Sequence, residues 1–222
     1  MPRRNLDQQH SIVEAAHEYN IMLDSREIFL HGEVGEDLSK GFLTNLQILL
    51  SRTDEAPITI HQFGLGGDWC SGVAIFDAIT LCPCPIVFVC HGIAASMSSI
   101  IPMACSQREQ AYCINMPNCD WLIHDGTTGI MQDMTHKQAQ SWSEWEKRLK
   151  EDTLDWYTLS CSEGEVYKNR SDKQIRASIK QKLDSKEDWW LTAREAVEHG
   201  FADAILGDEG FASLKEIRSE FI

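Results

Sequence analysis

From Glu27 onward, short apolar runs alternate with helix-length amphipathic segments, and this alternation constrains the fold more than any other feature of the chain. Glu27-Ile-Phe-Leu-His31, Pro57-Ile-Thr-Ile-His61 and Pro85-Ile-Val-Phe-Val-Cys90 have the length and branching of strands. Between and after them, Leu38 to Leu50, Cys70 to Leu81 and Ala95 to Cys105 read as helices. Two more short strands are expected near Ala111-Tyr-Cys-Ile and Trp121-Leu-Ile-His124. Strands alternating with helices imply right-handed crossovers and a largely parallel sheet, hence an α/β fold. At 222 residues the chain has room for one such domain and little room for a second.

Past Thr127 the pattern changes. Residues 132 to 160 are polar, with Trp142, Trp145, Leu149, Thr153 and Trp156 three or four apart, as on one helix face. Three of those are Trp, so this face is expected to pack, a contact between subunits being one such use. Thr192-Ala-Arg-Glu195 is a capping box opening a short helix that stops at Gly200. Phe201 to Leu206 reads as a last strand and the remainder as an acidic tail. The residues up to Asp24 are polar with a weak helical stripe and read as an arm.

The formal net charge of −14 argues against a general nucleic-acid binder, which needs a basic footprint on phosphates. No apolar run is long enough to span a bilayer, and no apolar stretch follows Arg3-Arg4 as in a secretory signal. The eight cysteines include no Cys-x-x-Cys and read as reduced, buried small side chains, which points to the cytoplasm.

The chemistry concentrates in Val89-Cys-His-Gly-Ile-Ala-Ala-Ser96-Met-Ser-Ser99. A buried strand ends, small residues turn the chain, and a helix starts at about Ser96. Backbone N–H groups at such a junction favour negative charge, as a serine nucleophile requires for its oxyanion. A plain helix N-cap needs a serine there equally well. His31, His61, His91 and His124 all fall at strand ends, the edge where functional groups collect in open parallel sheets, and spacing does not choose a base among them. Gly66-Gly67, between a strand and a helix, fits an oxyanion-binding turn or a simple tight turn. No Lys follows it as in a phosphate loop.

At these residues the chain resembles the Clp protease proteolytic subunit (ClpP) family. Gly92-Ile-Ala-Ala-Ser96-Met97 is similar to that family's Gly-x-Ala-Ala-Ser-Met motif, and Trp121-Leu-Ile-His124 to the strand ending in its catalytic histidine. Gly66-Gly67 through Asp77 resembles its glycine pair and following helix. Asp188 through Asp203 resembles its closing segment. The resemblance implies a ClpP/crotonase-like fold of strand–helix units with a long protruding handle helix. It also implies serine endopeptidase activity with Ser96, His124 and Asp184 as triad, Asp188 being the fallback for the last. Gly67 and Met97 N–H groups would form the oxyanion hole, with no metal or cofactor. Residues 1–24 would be an N-terminal arm or axial segment, 25–207 the peptidase domain with its handle at about 128–165, and 208–222 a C-terminal tail. The implied partners are polypeptide substrates, copies of the chain in heptameric rings stacked as a tetradecamer, and an AAA+ ATPase unfoldase, with no nucleic acid or membrane.

The departures are specific. Gly64-Leu-Gly-Gly67 replaces Ser-Pro-Gly-Gly, His124 is followed by Asp-Gly rather than Gln-Pro, and the spacings on either side of His124 are long. Thr59 and His61 stand where relatives carry aromatic residues that dock the ATPase's loops. Such divergence suits a phage-encoded or otherwise specialised relative. Two other readings are a catalytically silent ring or scaffold subunit and a crotonase-like enzyme acting on thioesters.

Overall fold

The computed structural model describes residues 6–53, 55–126 and 133–221. Residues 1–5 of the expected arm and 128–132 of the expected handle lie outside them. Helix α1 (Leu6–Tyr19) leads into β1 (Ile21–Met22), β2 (Glu27–His31), α2 (Glu36–Leu50), β3 (Ile58–Gly64) and α3 (Trp69–Thr80). Then come β4 (Ile86–Ala95), α4 (Met97–Ile100), a 3-10 segment (Ile101–Gln107), β5 (Ala111–Asn115) and β6 (Asp120–Ile123). The long α5 (His136–Cys161) and α6 (Asp172–Ser185) are followed by β7 (Trp189–Leu191), α7 (Ala193–His199), β8 (Ala204–Ile205) and α8 (Leu214–Ser219). The sheet runs β1-β2-β3-β4-β5-β8, parallel from β2 to β8, as the alternation of strands and helices requires.

Strand β4 explains why its sequence is apolar without interruption. Ile86, Phe88 and Cys90 point into the main core, while Val87 and Val89 point to the opposite face, and all five are fully buried. The segment expected as an acidic tail covers that second face. Ile217 of α8 is fully buried with Val87, Val89 and Ile114, and Phe211, Leu214 and Phe221 pack around it. Arg218 fastens the helix by donating to Thr59 Oγ1 (2.9 Å) and the Pro57 carbonyl (3.3 Å). A parallel sheet left open to water on one side would expose these valines, so the tail's scattered apolar residues fold back onto it.

Four local expectations are revised. The helix expected over Ala95 to Cys105 is a single α-turn that tightens into 3-10 geometry, with Pro102 at its start. The last strand shrinks to Ala204–Ile205, because Phe201 turns inward onto Trp121 and Tyr157. Helix α6 was not expected, although a Ser171–Gln174 capping box and the four-residue spacing of Ile175, Ile179 and Leu183 encode it. The aromatic face of α5 also divides. Trp156 stacks on Trp69 and Phe76 (centroids 5.7 and 4.4 Å), whereas Trp142 and Trp145 lie together near Ser96. Arg176 of α6 ties α5 down through Glu151 and Asp155.

All eight cysteines are free thiols and all but Cys70 are buried. Burial pushes Cys84 up to about 11 and Cys119 up to about 12, so both are protonated and unreactive at neutral pH. Among the described residues, no helix is long and apolar enough to cross a membrane.

Candidate active site

Strand β4 changes partner along its length. Its first half pairs with β5, and Ile93 to Ala95 pair with β6 after the chain passes through Gly92 in the left-handed region. This switch carries the end of β4 out to a separate strand pair and delivers Ser96 to the rim of the sheet.

Ser96 itself has φ 54° and ψ −127°. An L-residue with a side chain is strained there by about 1–3 kcal/mol and persists only where its surroundings over-determine it. They do so here. The Ser96 N–H donates to the Leu122 carbonyl (2.9 Å), and its own carbonyl accepts from the Ser99 N–H (2.8 Å) and hydroxyl (2.7 Å). Tyr157 in turn holds the Ser99 hydroxyl at 2.9 Å. The Ser96 side chain caps nothing: it makes no hydrogen bond to the helix it precedes, and its backbone is not in the extended region that N-caps occupy. The plain N-cap reading therefore fails.

The glycine pair abuts this residue. Gly66 has φ +99°, and a methyl group built on it would sit 2.6 Å from Ser96 Cβ and 2.8 Å from the Met97 nitrogen. Gly67 has φ +145°, and a methyl there would strike the Val34 carbonyl, to which the loop is laced by Asp68 N–H donating at 2.7 Å. Only glycine satisfies both the torsions and the approach. Among the described residues, neither the Gly67 nor the Met97 N–H has a backbone acceptor, and both residues line the same cleft as Ser96.

That cleft encloses about 300 Å³. Its floor is Gly67, Ser96 and Met97; His124 and Asp125 lie on one side, and Trp142, Trp145, Glu146 and Leu149 of α5 form the roof. His124 Nε2 is buried and has no hydrogen-bond partner among the described residues. It is thus a basic nitrogen withdrawn from water, in the same cleft as an uncommitted serine hydroxyl.

The two candidate carboxylates are placed differently. Asp184 lies in the last turn of α6, exposed, next to Leu183, which lines the cleft. Successive residues diverge by about 100° around a helix, so Asp184 sits to one side of Leu183, exposed and outside the cleft lining. Asp188 immediately precedes β7, which pairs antiparallel with β6 through Trp121↔Leu191, Leu122↔Trp190 and Ile123↔Trp189. The ladder ends at Ile123↔Trp189, and one further step of its register would bring Asp188 level with His124. Neither carboxylate is hydrogen-bonded to His124 in the free chain. The β6–β7 pairing is not legible without β7, and the Trp142–Trp145 pair is legible as part of a packing stripe but not as a wall of this cleft.

The other three strand-end histidines gather elsewhere. His61 Nδ1 and His91 Nε2 are 3.0 Å apart, and His61 Nε2 lies 3.4 Å from Glu27 Oε2. Both contacts are satisfied when His91 donates to His61 and His61 donates to Glu27, both rings neutral. Phe29 stacks on His61, while His31 and Arg218 add positive charge nearby. Burial, then His61 and His31, push His91 down to about 4, and burial also lowers His61 and His31. With an unfolded value near 6.5, His91 binds protons in the unfolded chain first. It is neutral in both states above that value, and stability falls as pH drops from about 6.5 toward 4. The ring is half-exposed, so the loss is on the order of 1 kcal/mol. Urea midpoints between pH 7 and pH 4.5 should fall more steeply for the wild type than for His91→Gln. Parallel curves would show that this ring does not drive the loss.

The Clp protease family model matches residues 9–209, nearly the whole domain. The ATP-dependent Clp protease proteolytic subunit 2 of Treponema denticola is 31% identical over 183 residues, covering 82% of each chain. Subunit 2 of Mycolicibacterium paratuberculosis is 29% identical and subunit 1 of Mycobacterium tuberculosis 28% identical, each over 191 residues and 85% of both chains. The strand–helix sheet, the long α5 and this extent of matching together establish that the chain belongs to the Clp protease family.

Proposed function

We propose that the chain is a serine endopeptidase in which Ser96 is the nucleophile, His124 the general base and Asp188 the carboxylate that orients it. The observation that carries this reading is the strained Ser96 backbone, which presents a hydroxyl that caps no helix into a cleft shared with the buried, unpartnered His124 Nε2. Ser96 Oγ attacks the scissile carbonyl carbon as His124 Nε2 takes its proton. The oxyanion is received by the Gly67 and Met97 N–H groups, worth on the order of 3 kcal/mol per donor in comparable sites. Collapse of the tetrahedral intermediate breaks the C–N bond, and His124 returns the proton to the leaving amine. Water, activated by the same nitrogen, then hydrolyses the acyl-Ser96 ester. Asp188 is preferred to Asp184 because one further step of the β6–β7 register would bring it level with His124. Hydrogen bonds of this kind commonly tighten only when substrate binds.

The relatives' names carry the words "ATP-dependent" and "proteolytic subunit". They support a reading in which the chain is one subunit of a proteolytic assembly that works with an ATP-driven partner; stacked heptameric rings and an unfoldase are what the family resemblance implies for that assembly. Thr59 and His61 are both buried, the former beneath Arg218 of α8, so an unfoldase that docks at this edge must use contacts other than exposed aromatic rings at these positions.

The test is chemical. A fluorophosphonate should form one adduct on the native protein, and mass mapping should place it on the peptide containing Ser96. An adduct on another serine, or none, would sink the assignment.

A further inference from the structure

The cleft beside Ser96 carries an electrostatic imbalance that hydrolysis alone does not require. Three carboxylates line it, those of Asp68, Asp125 and Glu146, against the single ammonium of Lys150. Two of the three are already occupied. Asp68 caps α3 by accepting from the Ser71 N–H at 2.8 Å, and Asp125 takes Lys150 at 3.4 Å. Glu146 remains: its Oε1 is buried in the roof and meets no donor among the described residues. A covered carboxylate oxygen without a donor is costly, and a substrate that brings a cation relieves the cost while one that brings only methylenes does not. The walls suit the same guest. Trp142 and Trp145, with ring centroids 4.9 Å apart, flank Glu146 and offer aromatic faces to a cation; Leu149 and Ile100 offer apolar surface to a methylene stem.

We propose that Glu146 is a specificity-determining residue, selecting substrates with lysine or arginine on the acyl side of the scissile bond. This rests on Ser96 as the nucleophile, because the cleft takes the side chain of whichever residue presents its carbonyl to that hydroxyl. The formal charge of −14 on the chain acts in the same direction by drawing cationic polypeptides toward it.

The experiment uses two peptidyl diphenyl phosphonates that differ only in the residue carrying phosphorus, lysine in one and norleucine in the other. The two side chains share a four-carbon stem and differ only in the terminal ammonium, so the comparison isolates that group. Rates of adduct formation at Ser96 are followed by mass spectrometry on the intact protein. The lysine compound should react at least tenfold faster than the norleucine one with the wild type, and Glu146→Gln should lower that ratio about tenfold. The wild-type comparison stands even where the variant folds poorly. Equal rates, a faster norleucine compound, or an unchanged ratio in Glu146→Gln would overturn the specificity assignment and leave the nucleophile standing. If neither compound labels Ser96, the nucleophile falls and the specificity assignment with it.

Discussion

Ser96→Ala is expected to abolish peptide hydrolysis, lowering kcat by about 10⁵- to 10⁶-fold, the scale on which removing a serine nucleophile acts in peptidases of this chemistry. Its effect on stability should be small, within about 0.5 kcal/mol, because the hydroxyl makes no cap bond that alanine would lose. Those two outcomes together separate the roles. An N-cap serine would show the reverse pattern, about 1 kcal/mol of lost stability with activity largely kept. Ser96→Gly extends the test. It should be equally inactive yet unfold at higher denaturant than Ser96→Ala, since glycine adopts φ 54° without the penalty that any Cβ incurs there. Urea melts of the three proteins beside peptide-hydrolysis rates are sufficient. A Ser96→Ala protein that retains turnover, or a glycine variant less stable than the alanine one, would contradict the picture of a serine held under strain for chemistry.

The parallel sheet was legible because Ile86–Cys90 is apolar on both faces and the strand-like runs alternate with amphipathic helices, a pattern few other architectures use. The junction at Ser96 was legible as a place but not as a conformation, since no sequence pattern distinguishes an N-cap torsion from a left-handed one. Only the close packing of Gly66 against Ser96 Cβ does that. The C-terminal helix escaped notice because its apolar residues, Phe211, Leu214, Ile217 and Phe221, are diluted by charges and gain their burial from a sheet face far away in sequence. Helix α6 and β7 were missed for a different reason. The capping and periodicity signals of α6 are present but diluted among polar residues, and Trp189–Leu191 is too short a run to read as a strand alone. That omission had a consequence at the site, because the position of the orienting carboxylate depends on which residues pair with β6.

Asp188→Asn and Asp184→Asn should therefore differ sharply. In the β6–β7 ladder the side chains alternate: Trp121 and Leu191 point inward, Leu122 and Trp190 outward, Ile123 and Trp189 inward. His124, which lines the cleft, and Asp188 would be the next pair in that series. An asparagine at 188 keeps the shape but cannot compensate the imidazolium formed during attack, and it can favour the wrong tautomer. In comparable triads this substitution lowers kcat by about 10⁴-fold with little change in KM. Asp184, exposed in the last turn of α6, makes no hydrogen bond to the ring, and Asp184→Asn should retain activity within about twofold. Peptide-hydrolysis kinetics on both variants decide the matter, with fluorophosphonate labelling of Ser96 as a second readout that does not depend on turnover. Equal losses would mean that α6 unwinds at its end to bring Asp184 inward. A loss confined to Asp184→Asn would show that the strand register does not extend to the carboxylate and that the triad is assembled across the helix end instead.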